Sequence, residues 1–476
     1  MTACNSHLND QNLISRINSL FNPESIAVVG VPRGMKMGRL FLTALIDQHY
    51  PGKIYPVNPL TEEIDGLKTY PSVSAIPGTI DLAIILVPHD QTLPVIRDCI
   101  QKNVKGAVLF TAGYKETGTD EGNSLEQELV RIARSSGMRL IGPNCMGLYS
   151  PKSGLSFFPE LSRTPGTVGI ISHSGSLANI LGRMGGKRGL RFSKAVSLGN
   201  ECDLTGTDFL GYLGWDPDTR VIGTYLENIR DGKAFLQTLL AVSQKKPVIL
   251  WKAGMTPEGA RAAASHTGAL AGRKEIWEAV IRQGGGIEAI GFEDWVDTLM
   301  AFSYFPEKLG KRMAIISGPG GFAVAAAEAC GMAGLGMADL SVQTISELEN
   351  AIARTGTSVR NPIDIGLSGA MDRDTVFHAA KASASDGNVD AVLVVGTGMT
   401  PADNRIFAET FGKLQQEYGK PFIPVAMPGF DEADNTAFFE AGLTVFSSVE
   451  RAMKGYGRVW RYQEWKRRFW EPGGLE

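Results

Sequence analysis

The chain has 476 residues, a formal net charge of -3, 20% charged residues and 56 glycines. That length suits about three domains of ordinary size; the balanced charge leaves no basic stripe for nucleic acid and no acidic tail, and no apolar run approaches the roughly 20 residues that span a bilayer. The five cysteines, Cys4, Cys99, Cys145, Cys202 and Cys330, are scattered without a Cys-x-x-Cys pair. This speaks against a disulfide framework and against a metal site, and together with a polar N-terminus lacking a signal-peptide pattern it points to a reducing, cytoplasmic setting.

After a polar leader, the apolar run from Ser25 to Val31 reads as a strand ending in a glycine loop that contains Gly30, Gly34 and Gly38, followed by a helix-like segment from Leu40 to Ile46. Strand-like runs follow at Lys53 to Val57, Leu82 to Val87, Gly106 to Phe110 and Arg139 to Ile141, with helix-like stretches at Gln91 to Lys102 and Gly122 to Ser136. Strands alternating with helices at this spacing predict a parallel, doubly wound sheet. A connector rich in Pro, Ser and Gly from Ser150 to Gly166 closes this module.

A second alternating unit opens at Val168, turns at Ser172-His173-Ser174-Gly175-Ser176 and continues through strands at Phe192 to Ser197, Val221 to Tyr225 and Pro247 to Trp251. The segment from Ala301 to Lys311 reads as the second linker. A third unit opens with the strand Arg312 to Ser317 and the turn Gly318-Pro319-Gly320-Gly321, continues through strands at Ala391 to Val395 and Phe422 to Ala426, and ends in an amphipathic helix from Arg458 to Trp470. The expected fold class is therefore α/β, with three successive Rossmann-like or flavodoxin-like parallel-sheet modules over residues 1–155, 156–303 and 304–476.

Glycine turns at helix starts present free backbone N–H groups and the positive end of the helix dipole, which suits anions. The first loop has Gly-x3-Gly-x3-Gly spacing and the second strand ends in Val57-Asn58-Pro59, whereas a dinucleotide binder would show Gly-x-Gly-x-x-Gly and an acid there. Both departures count against a nicotinamide enzyme. Arg33, Lys36 and Arg39 in or beside the loop fit a phosphorylated ligand. The turns at Ser172 to Ser176 and Ser317 to Phe322 carry no Walker lysine; either they converge on one phosphoryl group or they are two ordinary strand-to-helix junctions.

From Arg261 to Arg273 the chain reads Arg-Ala-Ala-Ala-Ser-His-Thr-Gly-Ala-Leu-Ala-Gly-Arg. Ser265, Thr267, Gly268 and Gly272 favour caps and turns, so the stretch reads as a mobile or tightly turned loop that presents His266. From the residues alone, His266 is either a reactive imidazole or a hydrogen-bonded histidine in a small-residue turn.

With these residues assembled, the chain resembles the α subunit, the CoA-binding half, of the NDP-forming acyl-CoA synthetases, relatives of succinyl-CoA synthetase. The resemblance runs from about Asn22 to about Gly457 and rests on Ser265 to Gly272 and Gly142-Pro143-Asn144-Cys145, supported by Val57-Asn58-Pro59, Ser172 to Leu177, Tyr225-Leu226-Glu227 and Asn361-Pro362-Ile363-Asp364. It implies a phosphoryl relay in which His266 is the phosphohistidine and Glu227 its acidic partner, suited to imidazole that is nucleophilic near neutral pH. Ser172, Ser174, Gly175 and Ser176, with Gly318, Gly320 and Gly321, would stabilise the travelling phosphoryl group at two helix starts.

By the same resemblance the CoA-binding residues are Gly30, Val31, Arg33, Lys36, Gly38, Val57, Asn58, Pro59, Val87 and Pro88, with Asn144 and Cys145 near the thiol end and Cys145 packing rather than attacking. His173 stands where relatives often have Gln or Arg; it tunes the site or is tolerated there, and is not a second phosphoryl carrier. The implied reaction joins a carboxylic acid to CoA with ATP consumption, giving acyl-CoA, ADP and phosphate through an acyl phosphate. No region resembles an ATP-grasp domain, so a separately encoded ATP-grasp β subunit that holds ATP/ADP and Mg²⁺ is expected, in a heterotetramer or higher assembly without nucleic acid or membrane. The alternative is a non-catalytic CoA- or acyl-CoA-binding regulator of the same fold.

Overall fold

A computed structural model describes residues 10–34, 36–267, 272–318, 320–352, 355–397, 400–426 and 435–470, without the side chains of 264–267 and 469–470. The polar leader contains a helix, Gln11–Phe21, in which Ile14, Ile17, Leu20 and Phe21 recur at helical spacing and are buried.

The first sheet is built from β1 (Ser25–Val29), β2 (Lys53–Val57), β5 (Leu82–Ile85), β6 (Gly106–Leu109) and β7 (Arg139–Ile141), with a small hairpin of β3 (Glu63–Ile64) and β4 (Leu67–Lys68) set apart from it. Its order is β2-β1-β5-β6-β7, all parallel. Strands buried on both faces become near-continuous apolar runs, which is why Ile26, Ala27, Val28, Leu82 and Ala83 are fully buried. The covering helix Asp120–Ser136 is delimited by local chemistry: the Thr119 hydroxyl caps Gly122 N–H, and Gly137 takes φ +83° at the other end.

The second sheet comprises β8 (Gly147–Tyr149), β9 (Val168–Ser172), β10 (Phe192–Ser197), β11 (Val221–Leu226), β12 (Val248–Lys252) and β13 (Ile287–Glu288), in the order β13-β12-β11-β9-β10-β8. β8 pairs antiparallel with β10. This sheet therefore begins before residue 156, because Tyr149 packs its ring against Phe157 and Phe192. The two sheets share one compact unit, Met1–Gly186 with Leu190–Gly291. The helix Gln11–Phe21 contributes to that union, with Phe21 stacked on Tyr212 at 5.4 Å.

A separate unit contains Lys187–Gly189 and Phe292–Glu476. It starts earlier than residue 304 because the helix Phe292–Tyr304 packs on the helix Val449–Trp470: Asp294 takes Arg458 at 2.7 Å, Asp297 takes Arg451 at 2.7 Å, and Trp295 and Leu299 are buried. Part of the segment read as a linker is thus helical, and the closing helix begins well before Arg458. The third sheet has the order β15-β14-β17-β18, from β14 (Arg312–Ser317), β15 (Gly336–Met337), β17 (Ala391–Thr397) and β18 (Phe422–Ala426), while β16 (Ile363–Asp364) pairs with the end of β14. Apolar clusters cover both faces, one containing Phe407, Phe411 and Phe438 and the other Met453, Tyr456 and Val459 of the closing helix.

Each sheet places its first parallel strand inside, with the next parallel strand on one side and later ones on the other, the antiparallel β8 lying at the edge of the second sheet. The order reverses at β1/β5, β9/β11 and β14/β17, and ligands of such sheets bind in the crevice outside the carboxyl ends at that reversal. Among the described residues no helix is long and apolar enough to cross a membrane.

Candidate active site

At the β9/β11 reversal Tyr225 pairs with Ser172. Ser172 is fully buried and its hydroxyl donates to Ser174 O at 2.7 Å, bending the chain into the helix Gly175–Lys187. Ser174 Oγ accepts Leu177 N–H at 3.3 Å, satisfying one early donor of that helix. A side chain at Gly175 would come within 2.5 Å of Met146 Cγ, so glycine lets the helix start close against the neighbouring turn.

Glu227 is the first residue beyond β11 and is only 5% exposed. Its main-chain N–H donates to His173 Nδ1 at 3.0 Å, its carbonyl accepts Lys252 Nζ at 2.9 Å, and its carboxylate hydrogen-bonds the Tyr225 hydroxyl. Burial, the Glu227 charge and this hydrogen bond push the Tyr225 hydroxyl well above the usual tyrosine range. Burial lowers the Lys252 ammonium, against the opposing pull of Glu227. His173 itself is buried, with Nδ1 accepting and Nε2 facing Glu201 Oε2 at 3.7 Å, so neither ring nitrogen is placed to carry a phosphoryl group.

This end of the second sheet opens onto a cleft of about 590 Å³ whose other wall is the β1/β5 reversal of the first. Pro88, Asn144, Cys145, Ser174, Gly175 and Ser176, all foreseen as site residues, line it. So do Leu86, Phe110, Met146, His173 and Asn200. Two turns hold the walls together: Asn144, at φ +57°, donates its N–H to Thr111 O at 3.0 Å, and Asn200 N–H donates to Pro143 O at 2.9 Å. Burial pushes the Cys145 thiol up to about 12, and its Sγ donates to Leu109 O at 3.5 Å, which fits packing rather than nucleophilic chemistry.

The remaining candidates in the first module have different situations. Val31 and Val57 are buried, so their side chains pack. Gly30, at φ +85°, lets Val87 approach, since an added Cβ would lie 2.7 Å from Val87 Cγ1. The Asn58 amide donates to Val31 O at 2.9 Å and its oxygen accepts Leu60 N–H at 2.8 Å, which fixes the loop. Arg33 and Lys36 are exposed beside Gly34, whereas Arg39 is engaged with Asp65 and Pro32 O. Gly38 and Pro59 do not line the cleft.

His266 lies in the last turn of the helix Pro257–Thr267, where the sequence had suggested a loop; the alanine run carries the helix past Ser265. Its side chain, and Gly268 to Ala271, lie outside the described residues. In the C-terminal unit Gly318 and Gly320 leave room for neighbours: an added Cβ would overlap Ala370 Cβ at Gly318 and lie 2.7 Å from Asp364 Oδ2 at Gly320, while Gly321 is open and Pro319 lies outside the description. Among the described residues no group of three or more His, Cys, Asp or Glu side chains is placed to hold a metal ion.

Comparison with known proteins bears directly on this arrangement. Residues 24–151 match the CoA binding domain family, and residues 165–302 match the succinyl-CoA ligase like flavodoxin domain family. The α subunit of acetate–CoA ligase (ADP-forming) II from Pyrococcus furiosus is 38% identical over 421 residues, covering 87% of this chain and 90% of that protein. The chain belongs to the α subunits of the NDP-forming acyl-CoA synthetases, in the succinyl-CoA synthetase superfamily.

Acetate–CoA ligase (ADP-forming) I from Archaeoglobus fulgidus is 35% identical over 450 residues, and this α subunit spans 94% of its own length but 63% of that relative. A solved structure of the dinucleotide forming acetyl-coenzyme A synthetase 1 of Ca. Korarchaeum cryptofilum, in complex with phosphate and ADP, superposes with TM-score 0.85 at 34% identity, covering 96% of this chain and 99% of that one. These relatives are named as ligases or synthetases, which supports the catalytic reading over a non-catalytic regulator. In this α subunit the two family matches fall on the two sheets that enclose the cleft.

Sequence reasoning had given no role to Tyr225, Lys252 or Asn200. Tyr225 was within reach of it, since residues two apart on a strand share a face and Tyr225 precedes Glu227 by two. Lys252 reaches Glu227 through the pairing of Leu226 with Lys252, which depends on strand order.

Proposed function

We propose that this chain is the phosphoryl-carrying subunit of an ADP-forming acid–CoA ligase, with His266 as the carrier and Glu227 as its partner. The supporting observation is Glu227 itself, a buried residue just past β11 whose main-chain N–H is bonded to His173, in the turn that leads into the helix Gly175–Lys187 and lines the cleft.

In this reading a neutral ring nitrogen of His266 attacks the γ-phosphorus of ATP; a P–N bond forms and the bond to the ADP oxygen breaks. Glu227 accepts the hydrogen bond of the other ring nitrogen and stabilises the cation that develops. A substrate carboxylate oxygen then takes the phosphoryl group, giving an acyl phosphate and free imidazole. The sulfur of CoA attacks the acyl carbon, phosphate leaves, and the thiol proton passes to solvent or phosphate. Backbone donors of Ser174, Gly175 and Ser176 face the phosphoryl group during these transfers, and those of Gly318, Gly320 and Gly321 serve the second helix start.

Arg33 and Lys36 supply exposed positive charge for the phosphates of CoA, while Pro88, Asn144 and Cys145 flank its thiol end. ATP and Mg²⁺ are assigned to a separately encoded ATP-grasp β subunit, in a heterotetramer or larger complex, and a cytoplasmic setting agrees with the free, buried thiols of Cys99, Cys145, Cys202 and Cys330 among the described residues. The substrate is a carboxylic acid; acetate, present in the names of the relatives, is the first to test.

The experiment incubates the chain with its ATP-grasp partner, Mg²⁺ and γ-³²P-labelled ATP. Acid-labile, base-stable label is expected on the wild type and none on His266→Ala. Label that persists on His266→Ala overturns the assignment.

A further inference from the structure

Glu227 lies just past the end of the β11 ladder, so sheet hydrogen bonds no longer fix its backbone. Two side chains do so instead. His173 Nδ1 accepts its N–H at 3.0 Å and Lys252 Nζ donates to its carbonyl at 2.9 Å. The His173 main chain is itself anchored, N–H to Tyr225 O at 3.0 Å, so the imidazole is referenced to the strand that carries Glu227.

An Nδ1 that accepts a hydrogen bond fixes the neutral tautomer with its proton on Nε2. That Nε2 has no hydrogen-bond partner among the described residues; the carboxylate facing it is Glu201, Oε2 at 3.7 Å, with Arg230 Nε at 4.0 Å from the same oxygen. The imidazole is 1% exposed and the Glu201 side chain 4%. A ring sealed in this way, with an acid on one nitrogen and the Glu227 peptide on the other, has its geometry set by what it holds.

We infer that His173 is a positioning residue for Glu227: its Nδ1 clamps the Glu227 peptide and thereby aims the carboxylate. This inference rests on the reading of Glu227 as the partner of the phosphoryl-carrying histidine. It assigns His173 no contact with substrate and no proton transfer. The chemistry requires an acceptor at the Nδ1 position, which the side-chain oxygen of asparagine also supplies; leucine removes it.

The test uses the full chain and ³²P-labelled acetyl phosphate as phosphoryl donor, comparing wild type, His173→Asn, His173→Leu, Glu227→Gln and the His173→Leu/Glu227→Gln double variant. His173→Leu is expected to label roughly tenfold more slowly than wild type, and His173→Asn within about threefold of it. In the Glu227→Gln background His173→Leu should cost less than about twofold, because a residue acting through Glu227 has nothing left to position. Hydrogen exchange at the Glu227 amide should be at least about tenfold faster in His173→Leu than in wild type or His173→Asn.

An equal slowing by His173→Leu in both backgrounds, or a His173→Asn variant as slow as His173→Leu, overturns the inference. If the wild type takes label neither from acetyl phosphate nor from ATP with the ATP-grasp partner, the reading of Glu227 and His266 fails, and label from ATP alone moves the same five-variant comparison to ATP with the partner; in either case the exchange comparison decides separately whether the clamp exists, and unchanged exchange in His173→Leu rejects it.

Discussion

The Asp203 carboxylate, in the loop after β10, is held by Arg139 of β7 through two hydrogen bonds, 2.8 Å from Nε and 3.1 Å from Nη2. Arg134 Nε at 2.6 Å and Leu140 N–H at 2.9 Å complete its surroundings, and the side chain is fully buried. The grip joins the edge of the first sheet to the second and so supports the cleft between them. Burial alone would raise this carboxyl, but the hydrogen bonds and charge of Arg139, with Leu140 N–H and Arg134, hold it below the usual aspartate range.

Asp203→Asn should therefore destabilise the fold by about 2–3 kcal/mol at neutral pH, somewhat below the cost of breaking a fully buried pair because Arg139 can still reach water. The folded carboxyl is lowered relative to the unfolded chain, so its contribution is complete above the unfolded value of about 3.9 and is lost as pH falls through the folded value. Unfolding midpoints of variant and wild type should differ by a constant amount from pH 8 to about 5 and converge only below about pH 4.

Gly199 makes the complementary contact at the same seam. It has φ +55°, and an added Cβ would overlap the carbonyls of Pro143 and Asn144, neither of which can move without shifting the turn that lines the cleft. Gly199→Ala should cost about 2 kcal/mol or more. Gly34→Ala is the control: nothing lies within 4 Å of its added Cβ, and a change below about 0.5 kcal/mol is expected. Denaturant midpoints of the two variants decide the matter, and equal effects would remove the argument from close approach.

How much of this was legible beforehand depended on which physical signal each feature carries. Lys53–Val57, Phe192–Ser197 and Arg312–Ser317 are strands at the expected limits; Met313 to Ile316 shows the signal most plainly, since a parallel strand buried on both faces leaves an apolar run in the sequence. β8 left almost none, being three residues long and set by the packing of Tyr149. The stretch before Thr267 was misread because Ser265 and Thr267 were weighted as turn formers, although alanines on one side supply enough helix propensity to absorb them. The candidate site was legible as motifs but not as an assembly: that Ser172 and Tyr225 are neighbours follows from β9 and β11 being adjacent, and strand order is not a local property.

Cys145 offers a prediction of little effect. Its thiol lies in the cleft wall, yet burial raises it to about 12, leaving almost no thiolate at neutral pH. Cys145→Ala should keep acyl-CoA formation within about threefold of wild type and lose about 1–2 kcal/mol of stability from the vacated volume. Native protein should also resist iodoacetamide at this position, as read by mass spectrometry of the peptide. Loss of turnover beyond about a hundredfold, with the fold intact, would make the thiol a participant and require the path from acyl phosphate to CoA to be redrawn.

Tyr225 and Glu227 separate orientation from charge at the candidate centre. Tyr225→Phe removes the hydroxyl bound to the Glu227 carboxylate but keeps the ring, which packs on Trp251 with centroids 4.7 Å apart. It should slow phosphorylation of the chain about tenfold, the lower end of what one lost hydrogen bond to a charged group costs. Glu227→Gln keeps the shape and main-chain bonds but removes the negative charge that would stabilise a developing imidazolium, and should slow phosphorylation by about a hundredfold or more. Neither change touches the exposed Arg33 and Lys36, so CoA affinity by calorimetry should stay within about twofold of wild type. If Glu227→Gln instead weakens CoA while labelling at the wild-type rate, the carboxylate belongs to the CoA side of the cleft, and the partner of the histidine must be sought on another element.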